Sequence, residues 1–95
     1  MNSLDGKVAI VTGSSRGIGK AIAIELAKKR VSIVLNGRDS SRLEQATKEL
    51  KKIHNNVISV CCDVSIADQS KDLVGQALKT FGKLDILINN VGVSM

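Results

Sequence analysis

The chain has 95 residues, of which 43% are hydrophobic and 24% charged, as is typical of one globular domain. Its formal net charge is +5, yet it contains a single aromatic residue, so bases have no stacking platform and we expect no nucleic-acid partner. Its apolar runs are shorter than the roughly 18 residues of a membrane span, and its N-terminus lacks an apolar signal core, so we expect a cytoplasmic protein without membrane contact.

The chain begins with a predicted strand, a glycine-rich turn and a helix. A buried strand is predicted over residues 7–11, since residues 8–11 are an apolar run, and residues 20–29 have helix-like spacing. The octet Thr12-Gly13-Ser14-Ser15-Arg16-Gly17-Ile18-Gly19 separates them. A turn of this kind between strand and helix favours diphosphate binding, because glycines admit the ligand to the backbone and helix-end N–H groups face the anion.

Each glycine of the octet has a distinct predicted task. Gly13 permits the tight turn, Gly17 lets the backbone approach the pyrophosphate, and Gly19 allows the helix to pack closely on the strand. We expect the hydroxyl of Thr12 to tie the first strand to the fourth near Asn90. The first helix is expected to bury an apolar stripe against the sheet, consisting of Ile18, Ala21, Ile22 and Leu26, interrupted only by Glu25.

The second strand–helix pair follows at once. Residues 31–35 form a continuous β-branched strand, and turn residues follow it from Asn36 onward. Ser41 and Glu44 have the spacing of a capping box at the start of the next helix.

The third strand is predicted over residues 57–62 and ends at Asp63. The adjacent Cys61 and Cys62 point to opposite faces of a strand, a geometry that disfavours a disulfide bond between them. We therefore expect both to be reduced, and we expect both to be buried packing residues. Ser65 and Asp68 start a helix that Gly82 ends. Its expected buried face consists of Ile66, Leu73, Val74, Ala77, Leu78 and Phe81.

A fourth strand over residues 84–88 completes a β-α-β-α-β-α-β order. Right-handed crossovers then predict the strand order 3-2-1-4. We therefore expect a partial α/β, Rossmann-like, doubly wound parallel sheet, and one nucleotide-binding domain portion over residues 1–95 that stops before any catalytic segment.

Four motifs, each at the carboxyl end of a predicted strand, carry a resemblance. They are the octet, Asn36-Gly37-Arg38, Asp63-Val64 and Asn89-Asn90-Val91-Gly92. In this order they resemble the short-chain dehydrogenase/reductases over the whole chain. The resemblance implies an oxidoreductase that transfers hydride between a nicotinamide dinucleotide and a carbonyl or alcohol carbon.

The resemblance also implies where the dinucleotide binds. Ser14, Ser15 and the backbone of Ile18 would contact phosphate and ribose, and Asp63 with Val64 would read the adenine. Asn36 belongs to the same cofactor set. Asn90 and Gly92 would line the floor beneath ribose and nicotinamide, with Val91 in place of the commoner alanine.

The choice of cofactor depends on the end of the second strand. The family's NAD users carry an acid at the position of Gly37, where it accepts from the ribose 2′-OH. This chain has no acid there, and Arg38 is adjacent. Arg16 in the turn reaches the same region, and arginine suits phosphate oxygens. We therefore expect NADP (NADPH) to be preferred over NAD.

The catalytic serine and Tyr-x-x-x-Lys pair of the family would lie beyond residue 95, and this chain has no tyrosine. We assign it no catalytic residues and expect it to be inactive alone. Two cysteines and His54 do not make a metal-ligand pattern. A complete enzyme is expected to act on a small carbonyl or alcohol, with a 3-oxoacyl thioester as one candidate, and to form a homo-oligomer.

Two other functions stay open. One is a non-catalytic NADP(H)-binding or regulatory module that pairs through its exposed fourth strand. The other is an S-adenosylmethionine-binding α/β domain, which Arg16 disfavours because that cofactor has no phosphate.

Overall fold

The computed structural model describes residues 3–90, in which strands and helices alternate along the chain. The elements are β1 (Val8–Val11), α1 (Gly17–Lys28), β2 (Ser32–Gly37), α2 (Ser40–Lys51), β3 (Val57–Cys61), α3 (Ala67–Phe81) and β4 (Ile86–Ile88). The strands pair in parallel in the order β3-β2-β1-β4. The predicted Rossmann-like sheet and its strand order are therefore confirmed.

The central strands β1 and β2 are buried on both faces, which explains their continuous apolar sequences. Side chains alternate between two cores because successive residues of a strand point to opposite faces. Val11 and Leu35 face the core that α1 and α2 cover. Ile10 and Val34 face the core that α3 covers.

Helix α1 packs on the sheet through its smallest residues, contrary to the predicted stripe. Gly19, Ala23 and Ala27 recur every fourth position and are buried, whereas Ile18 is 64% exposed. The prediction of a buried Ile18–Ala21–Ile22–Leu26 face was wrong for Ile18 and Ala21, which are exposed, while Ile22 and Leu26 are half-buried. Hydrophobic size was a poor guide to the face that α1 buries, because a helix that packs close to a sheet has small residues at the contact.

Helix α3 buries only part of its predicted face. Leu73 and Ala77 are buried, but Ile66 and Leu78 are each 47% exposed. Among the described residues α3 contacts chiefly β1. The apolar flank of α3 beyond that contact stays open to solvent.

The sequence signals at the ends of helices predict the end of α3 correctly but not the cap of α2. Gly82 ends α3 in the left-handed conformation at φ 79°, as predicted. The predicted capping box was wrong, because Asp39 caps α2 by accepting from the Arg42 N–H at 3.2 Å. Cys61 and Cys62 are both free thiols, but the prediction that both are buried was wrong, because Cys61 at the end of the edge strand β3 is exposed and Cys62 is half-buried.

Candidate nucleotide-binding site

The carboxyl ends of β1, β2 and β3 open onto one cavity of about 630 Å³. This volume lies within the range of small-molecule sites. Seven of the predicted cofactor residues line it: Gly13, Ser15, Arg16, Asn36, Arg38, Asp63 and Val64. The cavity is further lined by Gly37 and by four residues that were not predicted to belong to the site, namely Asp39, Arg42, Cys62 and Ser65.

The glycine turn depends on conformations and spacings that side chains disfavour. Gly13 and Gly17 have φ values of 60° and 61°, in the left-handed region. A Cβ at Gly19 would collide with the carbonyl oxygen of Gly13 and lie 2.8 Å from Nδ2 of Asn90. The turn can therefore pass this close to α1 only with glycine at position 19.

The N-terminus of α1 has no side-chain cap from the described residues. Arg16 is the N-cap residue, in extended conformation, and provides no side-chain cap. No acidic residue lies in the first turn. The first N–H groups of a helix lack partners within the helix and carry partial positive charge, so this end favours an anion.

Two predicted cofactor residues, Ser14 and Asn36, form buried hydrogen bonds that link parts of the site. The Asn36 N–H donates to Ser14 Oγ at 2.9 Å, and the Ser14 N–H donates to the Asn36 carbonyl at 2.8 Å. The side-chain oxygen of Asn36 accepts from the Gly13 N–H at 3.2 Å, while its amide nitrogen donates to the Val60 and Cys62 carbonyls. These bonds connect the glycine turn to β2 and β3.

Asn90 and Thr12 connect the turn to β4. The Asn90 N–H donates to Thr12 Oγ1 at 2.9 Å, and Asn90 Nδ2 donates to the Gly13 carbonyl at 3.2 Å. Thr12 Oγ1 also donates to Asn89 Oδ1 at 3.2 Å, so the predicted tie between the first and fourth strands is confirmed. Val91 and Gly92 lie outside the described residues.

The end of β2 combines a missing side chain with exposed arginines. A Cβ at Gly37 would lie 3.0 Å from Ser15 Oγ and 3.2 Å from Ser15 Cβ, so an acid here requires Ser15 to move. Arg38 is 79% exposed along its side chain, and its Nη1 lies 3.8 Å from Asp63 Oδ2. Arg42 was not predicted to line the site. It lies in the first turn of α2 at the same edge of the sheet, and that position depends on where the helix begins.

Ser65 fixes the carboxylate of Asp63. The N–H and hydroxyl of Ser65 donate to Asp63 Oδ1 at 3.0 and 2.6 Å. The hydroxyl bond, then the backbone bond and the nearby Arg38 charge, hold the pKa of Asp63 below its ordinary value. Burial, by contrast, raises the pKa of the Cys62 thiol.

Comparison with known proteins places this geometry in a family. The family model described as short chain dehydrogenase matches residues 7–95. The chain belongs to the short-chain dehydrogenase family.

Relatives within that family match in sequence and in structure. An uncharacterized oxidoreductase of Methylorubrum extorquens is 46% identical over 94 residues, which are 98% of this chain and 38% of the relative. The L-sorbose reductase of Gluconobacter frateurii, solved with NADPH and L-sorbose, superposes with a TM-score of 0.92 at 40% identity, over 98% of this chain and 36% of that one. A short-chain dehydrogenase/reductase of Burkholderia phymatum, solved with NAD, gives 0.87 at 37% identity, over 92% and 31%.

This short-chain dehydrogenase chain spans little more than a third of the length of the curated relatives it matches. Within residues 3–90, none of its helices is both long and apolar enough to cross a membrane. The same residues contain no group of three or more His, Cys, Asp or Glu side chains arranged to hold a metal ion.

Proposed function

We propose that this chain is the cofactor-binding part of an NADP(H)-dependent short-chain oxidoreductase. The observation that carries the proposal is that two arginines, Arg16 and Arg38, line the same cavity as Gly37, which has no carboxylate to accept from a ribose 2′-OH. A bound nicotinamide supplies or accepts the hydride that such an enzyme exchanges with a carbonyl or alcohol carbon.

The pyrophosphate would be held by the turn between β1 and α1. A Cβ at Gly17 would meet no atom within 4 Å, so the bare backbone there is open to an approaching ligand. The uncapped N–H groups at the start of α1, with Ile18 in that first turn, supply donors and partial positive charge for the anion. Ser15 lines the same cavity and offers a hydroxyl.

The preference for NADP over NAD follows from charge and space near the ribose. A 2′-phosphate is attracted by guanidinium groups, and both Arg16 and Arg38 line the cavity. A 2′-OH would instead need an acceptor, which Gly37 does not provide. The Ser15 side chain lies in the space that a carboxylate at position 37 would have to enter.

Adenine would lie against the end of β3. Asp63 and Val64 line this side of the cavity, and the carboxylate of Asp63 can accept from an exocyclic amino group. Asn90 fixes the floor on the β4 side through its bond to the Gly13 carbonyl. The substrate of the whole protein is proposed to be a small carbonyl or alcohol compound, and a 3-oxoacyl thioester belongs among the compounds to be tested.

Calorimetric titration of the chain with NADPH and NADH tests the proposal. We expect NADPH to bind at least about tenfold more tightly, and Arg38→Ala to narrow the difference by about 1–3 kcal/mol, the cost of a charge-assisted hydrogen bond. The matched control is Arg30→Gly, at the opposite end of β2, where φ is 66° and glycine is tolerated.

The outcomes separate the parts of the proposal. The control should leave the NADPH preference unchanged. Equal affinities for the two nucleotides in the unmodified chain would contradict the NADP assignment. Binding of neither nucleotide would contradict the cofactor site itself.

A further inference from the structure

The ion pair between Arg38 and Asp63 joins two sides of the cavity that recognise different parts of a nucleotide. In the sheet, Gly37 of β2 is in register with Cys61 of β3. Arg38 leaves β2 directly after this pair, and Asp63 follows β3 two residues after it. Their charged groups consequently meet above the strand ends, with Nη1 3.8 Å from Oδ2.

We propose that Asp63 is a positioning residue that strengthens the 2′-phosphate preference by holding Arg38 over the cavity. This inference rests on the function proposed above. Asp63 would act on the phosphate only through the arginine, in addition to any contact it makes with adenine.

Asp63 is suited to this role because it is itself held in place. Ser65 occupies Oδ1 with two hydrogen bonds, and the Asp63 N–H donates to Gln69 Oε1 at 2.7 Å. The second carboxylate oxygen is left to face Arg38. A fixed anion therefore lies beside a flexible cation.

Arg38 needs such a restraint. Its side chain is 79% exposed, so without a partner it would sample many rotamers and lose entropy when it binds a phosphate. The guanidinium is a planar fork with donors on several edges. Pairing through Nη1 leaves the other N–H groups free to meet phosphate oxygens.

Removing the charge of Asp63 has two opposing effects on phosphate affinity, so the direction of the measured change tests the proposal. The carboxylate of Asp63 repels a phosphate, so deleting its charge would by itself raise phosphate affinity. Loss of the restraint on Arg38 would lower it. The cavity contains a control for the first effect, since Asp39 also lines it but pairs with Arg42, with Oδ2 3.7 Å from Nε.

The experiment compares the affinities of the full chain for NADP⁺ and NAD⁺. Their ratio isolates the 2′-phosphate, because both nucleotides share the adenine contact and encounter the same folded fraction of each variant. We expect Asp63→Asn to lower the ratio about two- to fivefold, the range of a partly exposed ion pair. Asp39→Asn, which keeps a capping side chain on α2, should raise it.

A double-mutant cycle completes the test. In the Arg38→Ala background, Asp63→Asn should no longer lower the ratio, because the arginine through which it acts is gone. An unchanged or raised ratio for Asp63→Asn alone would overturn the inference, as would an equal decrease in both backgrounds.

Failure of the proposed function would be visible in the unmodified chain. If that chain binds NADP⁺ and NAD⁺ equally tightly, the NADP preference proposed above fails and this inference with it. A clear preference in the unmodified chain that Asp63→Asn leaves intact overturns the positioning role alone.

Discussion

Ser14 and Asn36 bond to each other through both main chain and side chain at the junction of the glycine turn and β2. The Ser14 hydroxyl accepts from the Asn36 N–H at 2.9 Å and lies 3.3 Å from the Asn36 carbonyl, to which it donates. Ser14 is fully buried and Asn36 is 1% exposed. Buried, hydrogen-bonded polar groups thus attach the turn that would bind phosphate to the sheet.

Replacing Asn36 should weaken the fold. Asn36→Ala leaves the Gly13 N–H and the Val60 carbonyl without their side-chain partner, and a buried polar group without a partner costs about 1–3 kcal/mol. Urea denaturation should show a free energy of unfolding lowered by that amount. The control Asn56→Ala removes an exposed amide and should change it by less than about 0.5 kcal/mol. Equal effects of the two variants would contradict the linking role of Asn36.

This link shows what the sequence could not predict. The motif Asn36-Gly37-Arg38 marks the end of β2, and strand order follows from the alternation of apolar runs and helical segments. Whether Asn36 points into the cavity or into the sheet depends on which carbonyls of β3 lie opposite it. Those distances come from strand register, which spacing along the chain does not reveal.

Helix α1 shows a second limit. The role of Gly19 in close packing of the helix was predicted from its position in the octet. The structure shows the reason, which is that a Cβ there would meet the Gly13 carbonyl. Two of the four side chains predicted to face the sheet, those of Ile18 and Ala21, are instead exposed. The spacing of apolar residues in α1 allows either the large or the small residues to face the sheet. Ala23 and Ala27 face it because α1 lies close to the sheet.

Adding a methyl group at Gly19 should disrupt the turn, whereas the same change elsewhere should not. Gly19→Ala places Cβ against backbone of Gly13, which cannot move without distorting the turn. We expect a lower melting temperature and loss of NADPH binding. Gly75→Ala is the matched control, because a Cβ there meets no atom within 4 Å and alanine should stabilise α3 by about 0.5–1 kcal/mol. A Gly19→Ala variant as stable as the Gly75→Ala variant would contradict this account.

The uneven burial of α3 predicts different costs for two leucines of one helix. Leu73→Ala removes a side chain that is 2% exposed and should lower the free energy of unfolding by about 2–5 kcal/mol. Leu78→Ala, at 47% exposure, should cost less than about 1 kcal/mol, since much of that side chain already contacts water. Chemical denaturation of both variants measures the difference. Similar losses would mean that the flank of α3 around Leu78 is covered.

Acid should weaken the start of the sheet through Asp85. Its Oδ2 accepts from the Val8 N–H at 2.9 Å and lies 3.2 Å from Lys83 Nζ. The Val8 bond, with a smaller contribution from Lys83, holds the pKa of Asp85 below its ordinary value of 3.8. Because the folded pKa is lowered, the stabilisation is fully present above 3.8 and is lost as pH falls through the folded value.

Thermal melts at several acidic pH values test this dependence. The unmodified chain should lose more stability than Asp85→Asn between about pH 5 and pH 2, because the variant has no carboxylate to protonate. Parallel pH profiles for the two proteins would show that Asp85 does not contribute.

The most direct test of a nucleotide site at the carboxyl ends of the strands is a ¹H–¹⁵N correlation spectrum of the chain titrated with NADP⁺. We predict saturable shifts of the amides of residues 13–19, of Arg38 and of Asp63 with Val64, which line or adjoin the cavity. Substitution of NAD⁺ should leave the turn amides shifting but reduce the change at Arg38. Shifts confined to the exposed flank of α3, or no shifts at saturating NADP⁺, would contradict the account.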